Sequence, residues 1–99
     1  MQAHYAPVFD REMGCTESEW LMWLPGAVGA CALSLHAQGA RVEIEAGWLT
    51  LSWQALPPRQ IALIRIPRLA VQFRFEALAD HARQRFMRYF DLYMQRGGG

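Results

Sequence analysis

The side chains with most chemistry in this 99-residue chain are Cys15, Cys31, His4, His36 and His81, and their spacing decides what they can do. None of them stands in a CxxC, HxxxH or HExxH arrangement, so no pair is preset on one turn or helix face to hold a zinc ion. Cys31 and His36 lie five apart on a predicted strand and so point to opposite faces. No metal ligand and no cofactor-binding residue is expected. Cys15 stands just before a predicted helix start, where a thiolate would be stabilised. No base adjoins it in sequence, and a small buried residue at a loop-to-helix junction is the plainer expectation. No catalytic residue is assigned, and the balance is against an enzyme.

Two other groups of charges have ordinary explanations. Thr16-Glu17-Ser18-Glu19 has the Ser/Thr-x-x-Glu form of a capping box, placed just before an apolar run, with both acids at the favourable end of the helix dipole. The stretch RQRFMRYF carries Arg83, Arg85 and Arg88 between Phe86, Tyr89 and Phe90. Binding nucleic acid there would need exposed aromatics as stacking platforms. Helical spacing instead sends Phe86, Tyr89, Phe90 and Tyr93 to a packing face and His81, Gln84, Arg85, Arg88 and Gln95 to water. Nucleic acid is not the expected partner.

Composition narrows the class. The chain is 53% hydrophobic with net charge +1, which fits one globular domain spanning residues 1–99 rather than a disordered or nucleic-acid-coating chain. All ten basic residues are arginine, and lysine and asparagine are absent, as a GC-rich bacterial coding sequence would produce. Residues 1–49 carry two arginines against six acids and residues 50–99 carry eight against three, an asymmetry that suits an anionic partner or, equally, neutralisation of one half by the other within the fold or across a dimer. With no basic-then-apolar leader, a reducing cytoplasmic setting with free thiols is expected.

These residues must be positioned by a few elements. Residues 20–35 (WLMWLPGAVGACALSL) pass without a charge, yet a membrane span needs about 20 apolar residues in one helix. Pro25, Gly26 and Gly29 divide the run into a helix over 17–24, a turn, and a strand from residue 30; no membrane span is expected. Residues 41–45 and 48–53 form a hairpin across Ala46-Gly47, with Glu45 opposite Trp48, Ile44 opposite Leu49 and Val42 opposite Leu51. Residues 54–60 read as a proline-stiffened loop. Residues 61–66 and 69–75 form a second hairpin across Pro67-Arg68. The period turns helical from Glu76 for about 18 residues, with Gly97 as its C-cap. Residues 1–13 supply an edge strand or arm, and 97–99 a flexible tail.

The fold class is α+β. A two-layer sandwich is expected, with an antiparallel meander sheet of about five strands and both helices on one face. Leu33, Leu35, Val42, Ile44, Leu49, Leu51, Ile64, Val71, Phe73 and Phe75 make the core face. Trp48, Ile61 and Leu63 then lie on the outer face, where water alone would favour polar residues. Together with Trp23, the helix residue still lacking a cover, they point to a non-catalytic interaction module, a homodimer or a partner of another protein. The alternative is a small-molecule cleft between the C-terminal helix and the sheet, lined by Trp53, Tyr89 and Tyr93.

Overall fold

A computed structural model describes residues 4–98, and it places one five-stranded antiparallel sheet under two helices. The elements are β1 (Val8–Met13), α1 (Glu17–Ala27), β2 (Ala32–His36), β3 (Gly39–Ile44), β4 (Gly47–Ile61), β5 (Ile64–Glu76) and α2 (Asp80–Tyr93), followed by a π-helical turn, Met94–Gly98. Strands β2 to β5 form a meander, and β1 joins beside β5, giving the order β1-β5-β4-β3-β2. The α+β two-layer arrangement is as the alternation predicts. Of the expected tail, Gly97 and Gly98 belong to the π-helical turn rather than capping an α-helix, and Gly99 lies outside the described residues.

Helix α1 begins where the capping box puts it. The Thr16 hydroxyl accepts from the Glu19 amide at 3.1 Å and the Glu19 carboxylate accepts from the Thr16 amide at 2.9 Å. It does not stop before Pro25 but runs to Ala27. Proline removes one hydrogen bond and crowds the preceding turn, yet Leu24, Ala27 and Val28 are all buried and hold the last turn in place. At Gly26 a Cβ would meet the outer end of the Tyr93 side chain, which would have to move aside.

The β3–β4 hairpin corrects the expected register by two residues. Ile44 pairs with Gly47 and Val42 with Leu49, so the turn is Glu45-Ala46, with Glu45 at φ +51°. Gly47 is the first strand residue instead of a turn residue, since a Cβ there would run into the backbone carbonyls of Glu76 and Ala77. A two-residue slip keeps every side chain on its face, so Val42, Ile44, Leu49 and Leu51 are buried as expected.

The larger correction concerns residues 54–68. They are neither a loop nor a hairpin turning at Pro67-Arg68. Strand β4 continues through the prolines to Ile61, turns at Ala62-Leu63 with Ala62 at φ +53°, and returns as β5 from Ile64. At about 3.3 Å per residue, the 15-residue β4 runs nearly the whole 46 Å length of the molecule. Leu35 and Ile64, both assigned to the core by alternation, are 54% and 61% exposed. Leu35 sits on the short edge strand β2, beyond the reach of either helix, and Ile64 sits at the tip of the projecting ribbon.

The remaining core face is closed by aromatics. Trp20 of α1 packs on Trp53 and Phe90, Phe73 meets Phe90, and Phe75 meets Phe86, with ring centroids 5.5–6.0 Å apart. The Trp53 indole N–H donates to the Glu17 carboxylate at 2.8 Å, so Glu17 serves the sheet while Glu19 serves the cap. The indole N–H of Trp20 is buried without a hydrogen-bond partner among the described residues.

Candidate functional site

Beyond Met13 on one side and Gly39 on the other, β4 and β5 have no neighbouring strand, and residues 54–68 stand out from the sheet as a two-stranded arm. Its register determines its faces. On β5 the outward row Arg74, Gln72, Ala70, Arg68 continues without interruption to Ile66 and Ile64. On β4 the outward residues are Ser52, Gln54 and Leu56, and then the pairing slips: Leu56 opposes Arg68, but Arg59 opposes Ile66. The extra residue is a bulge at Pro57-Pro58, and it switches which β4 side chains face outward. Ile61 therefore joins Ile64 and Ile66 on the outer face, in line with Leu56.

The result is an aliphatic stripe in water. Leu63, in the turn, is 98% exposed, Ile61 52%, Ile64 61% and Ile66 36%. The arm is also uniformly basic. No aspartate or glutamate occurs between Glu45 and Glu76, while Arg59, Arg65, Arg68 and Arg74 do. This thirty-residue stretch without an acid is the sequence signal that contains the arm, and its prolines disguise residues 54–60 as a loop.

Arg68 fixes the arm to the body. Its guanidinium donates to the Pro57 carbonyl at 3.2 Å and to the Glu12 carboxylate of β1 at 2.8 Å. The hydrogen bond from Arg68 holds the Glu12 carboxyl below its ordinary range, and Glu12 in turn raises Arg68. Arg59 approaches the same carboxylate at 3.7 Å. Beside this joint the outer face is hollowed into a trough of about 490 Å³, floored by Leu56 and Ala70 and walled by Asp10, Glu12, Ser52 and Gln72.

A second constellation lies toward the other end of the sheet. The Tyr5 hydroxyl donates to Asp91 at 2.5 Å, and Arg11 pairs with the same carboxylate at 2.5 Å. Gln84 accepts from the Tyr5 amide at 2.9 Å and donates to the Tyr5 carbonyl at 2.8 Å; Arg83 donates to that carbonyl at 2.9 Å and pairs with Asp80. Burial, then the bond to Asp91, pushes the Tyr5 phenol up to about 12. Gln84, expected on the wet side of the helix, is buried because the N-terminal segment crosses over it. The group acts as a clamp on the N-terminal segment.

The residues singled out from sequence fall into three places. Ile61 and Leu63 are at the arm tip. Trp48 is on the outer face at the far end of β4, half-buried under the Arg41 guanidinium, which stands 4.3 Å from its ring centroid. Trp23 is half-buried and packs on the core from α1. Trp53 is buried beneath Trp20, while Tyr93 is half-buried against Gly26 and Tyr89 is 52% exposed. The structure thus does not bring Trp53 to either tyrosine. Tyr89 instead lines a hollow of about 330 Å³ with Cys31, Ile44 and Phe86, whose mouth is spanned by an ion pair between Arg85 and Glu45.

Both cysteines are free. Burial raises the Cys15 thiol, and Glu19 adds to the effect, so the helix start does not activate it; burial and then Glu45 do the same to Cys31. Among the described residues no group of three or more His, Cys, Asp or Glu is arranged to hold a metal ion. Nor, among the described residues, is any helix long and apolar enough to cross a membrane. Compared with protein-family models, curated proteins and solved structures, the chain matches none of them.

Proposed function

We propose that this chain is a non-catalytic interaction module of a GC-rich bacterial cytoplasm, and that it docks on protein through the outer face of the β4–β5 arm. The observation that carries this reading is the stripe of Ile61, Leu63, Ile64 and Ile66, four large aliphatic side chains on one projecting ribbon. Single exposed apolar residues are ordinary. A contiguous set on an arm that supports no core has no folding role, since its burial adds nothing to the body.

The manner of docking also has support. Open strand edges invite pairing by backbone hydrogen bonds. Here Pro57 and Pro58 on one strand of the arm and Pro67 on the other remove backbone donors near its base. The arm is blunted against strand addition and offers side chains instead. Self-association is the first expected outcome, and light scattering coupled to size-exclusion chromatography reads it. The doubly substituted Leu63→Glu, Ile64→Glu protein should elute as a monomer and, in dilute solution where the wild type is monomeric too, unfold at the wild-type temperature. Unfolding of that variant would place the arm in the core and sink the reading, as would a wild-type protein that stays monomeric at high concentration and whose arm shows no protection on adding other proteins.

The small-molecule alternative rests on the hollow between Cys31, Phe86 and Tyr89. An apolar ligand with an anionic group would exchange with Glu45 for Arg85. Thermal stabilisation by such a compound, lost in Arg85→Ala, would support it; no response across a panel of aromatic carboxylates would count against it.

A further inference from the structure

We infer that the occupant of the arm is a second copy of this chain, with the arm of each subunit lying over the trough of the other; this rests on the interaction-module reading above. Stripe and trough share the outer face and meet at Leu56, which belongs to both. When two such faces oppose each other about a two-fold axis that runs across the strands, the tip of each arm is carried back over the partner's body. Each contact is then made twice, as a closed two-fold dimer requires.

Charge selects this arrangement over its competitor. Placing arm against arm would join two ribbons that carry only arginine, and like charges brought together across an interface are unfavourable. Placing arm on trough sets Arg59 against a wall made by Asp10 and Glu12. Within one chain that match is incomplete. Asp10 is exposed and has no ion pair among the described residues, while Arg59 is exposed and reaches only Glu12, at 3.7 Å. Glu12 is already taken by Arg68. One unpaired acid in the trough and one loosely held arginine on the arm complete each other across subunits. The aliphatic side chains of Ile61 and Ile64 meanwhile find Leu56 and Ala70 on the trough floor.

Reciprocity gives a decisive test. Asp10→Arg sets arginine against arginine at this contact, and Arg59→Asp sets carboxylate against carboxylate. Each variant alone should dissociate, with self-affinity at least tenfold weaker in sedimentation velocity, while in dilute solution, where the wild type is also monomeric, both should unfold at the wild-type temperature because both sites are exposed. Mixed one to one, they should form a heterodimer, since each trough now meets an arm of opposite charge. Wild-type protein that is dimeric, with a dimer that survives both variants and Leu63→Glu, would overturn this docking mode and leave self-association standing. A mixture that stays monomeric would also overturn it. Wild-type protein that is monomeric at all concentrations would overturn both. A monomer that sediments with vesicles of phosphatidylglycerol and not with phosphatidylcholine would replace the second copy with an anionic membrane surface.

Discussion

Around Tyr5 and along the arm, this small protein inverts the usual distribution of polarity in two opposite ways. Near the first, Asp91, Arg83 and Gln84 are buried, and each is bonded to a partner from a distant part of the chain. Along the second, Ile61, Leu63 and Ile64 stand in water beside no partner at all. The physical costs differ in kind. A buried charge is strongly destabilising unless paired, so the clamp must be complete within the fold. Exposed aliphatic groups cost the folded state little relative to the unfolded one, because they are hydrated in both. The clamp is therefore internal structure. The arm's apolar surface returns free energy only when something else covers it.

The sharpest way to break that contrast is to remove the centre of the clamp. Asp91→Ala should lower unfolding free energy by about 3–5 kcal/mol, because the buried carboxylate that joins Tyr5 and Arg11 is lost and the Tyr5 hydroxyl is left without its acceptor. Urea denaturation measures it. A loss below about 1 kcal/mol would mean water already reaches Asp91, and the two regions would not differ as described.

Next in size is a pH effect. The Tyr5 phenol is raised above its ordinary value of 10.0 to about 12. The folded state favours the protonated form, so this stabilisation is full below pH 10 and is lost as pH rises through about 12. The loss should be on the order of 2–3 kcal/mol. In Tyr5→Phe that alkaline phase should vanish, while stability at neutral pH falls by about 1–2 kcal/mol because Asp91 loses a donor. An unchanged alkaline transition in Tyr5→Phe would assign it to another group.

The arm should give almost no stability signal. Replacing Ile61, Leu63 and Ile64 together by serine should change unfolding free energy by less than about 0.5 kcal/mol in dilute solution, where association is absent. A loss above about 1 kcal/mol would show that the arm packs on its own body.

What could be read from the sequence follows from how local each feature is. The capping box uses residues three apart and came out as expected. The faces of the β3–β4 hairpin survived a wrong register because strand period is two and the error was two. The arm is not legible because Pro57 and Pro58 argue against a strand interior, and only a bulge beyond the last neighbouring strand makes them acceptable. Ile64 was assigned to the core by the same alternation that placed Val71 and Phe73 correctly. Alternation reports the face of a strand but not whether a helix reaches that far. The clamp was not legible at all. Tyr5 and Asp91 are 86 residues apart, and no periodicity marks two side chains that meet only after the sheet has formed.

The smallest expected effect joins the two regions, because β1 carries residues of both. Arg11 faces inward to Asp91, and its neighbour Glu12 faces outward to Arg68 at the base of the arm. The Glu12 carboxyl is held below 4.5 by the Arg68 hydrogen bond, so its contribution is present above the unfolded value and is lost as pH falls through the lower folded one. Glu12 is exposed, and global stability should scarcely register this. Local opening should, because Arg68 also holds the Pro57 carbonyl within the bulge. Amide exchange in residues 54–68, corrected for the intrinsic pH dependence of exchange, should accelerate below the Glu12 midpoint while amides of β3 and α2 stay unchanged. In Arg68→Gln the carboxyl midpoint should rise toward 4.5 and the acceleration should already be present at neutral pH. If arm and clamp instead loosen together as Glu12 is protonated, β1 couples them, and the arm is part of the folding unit that the clamp closes.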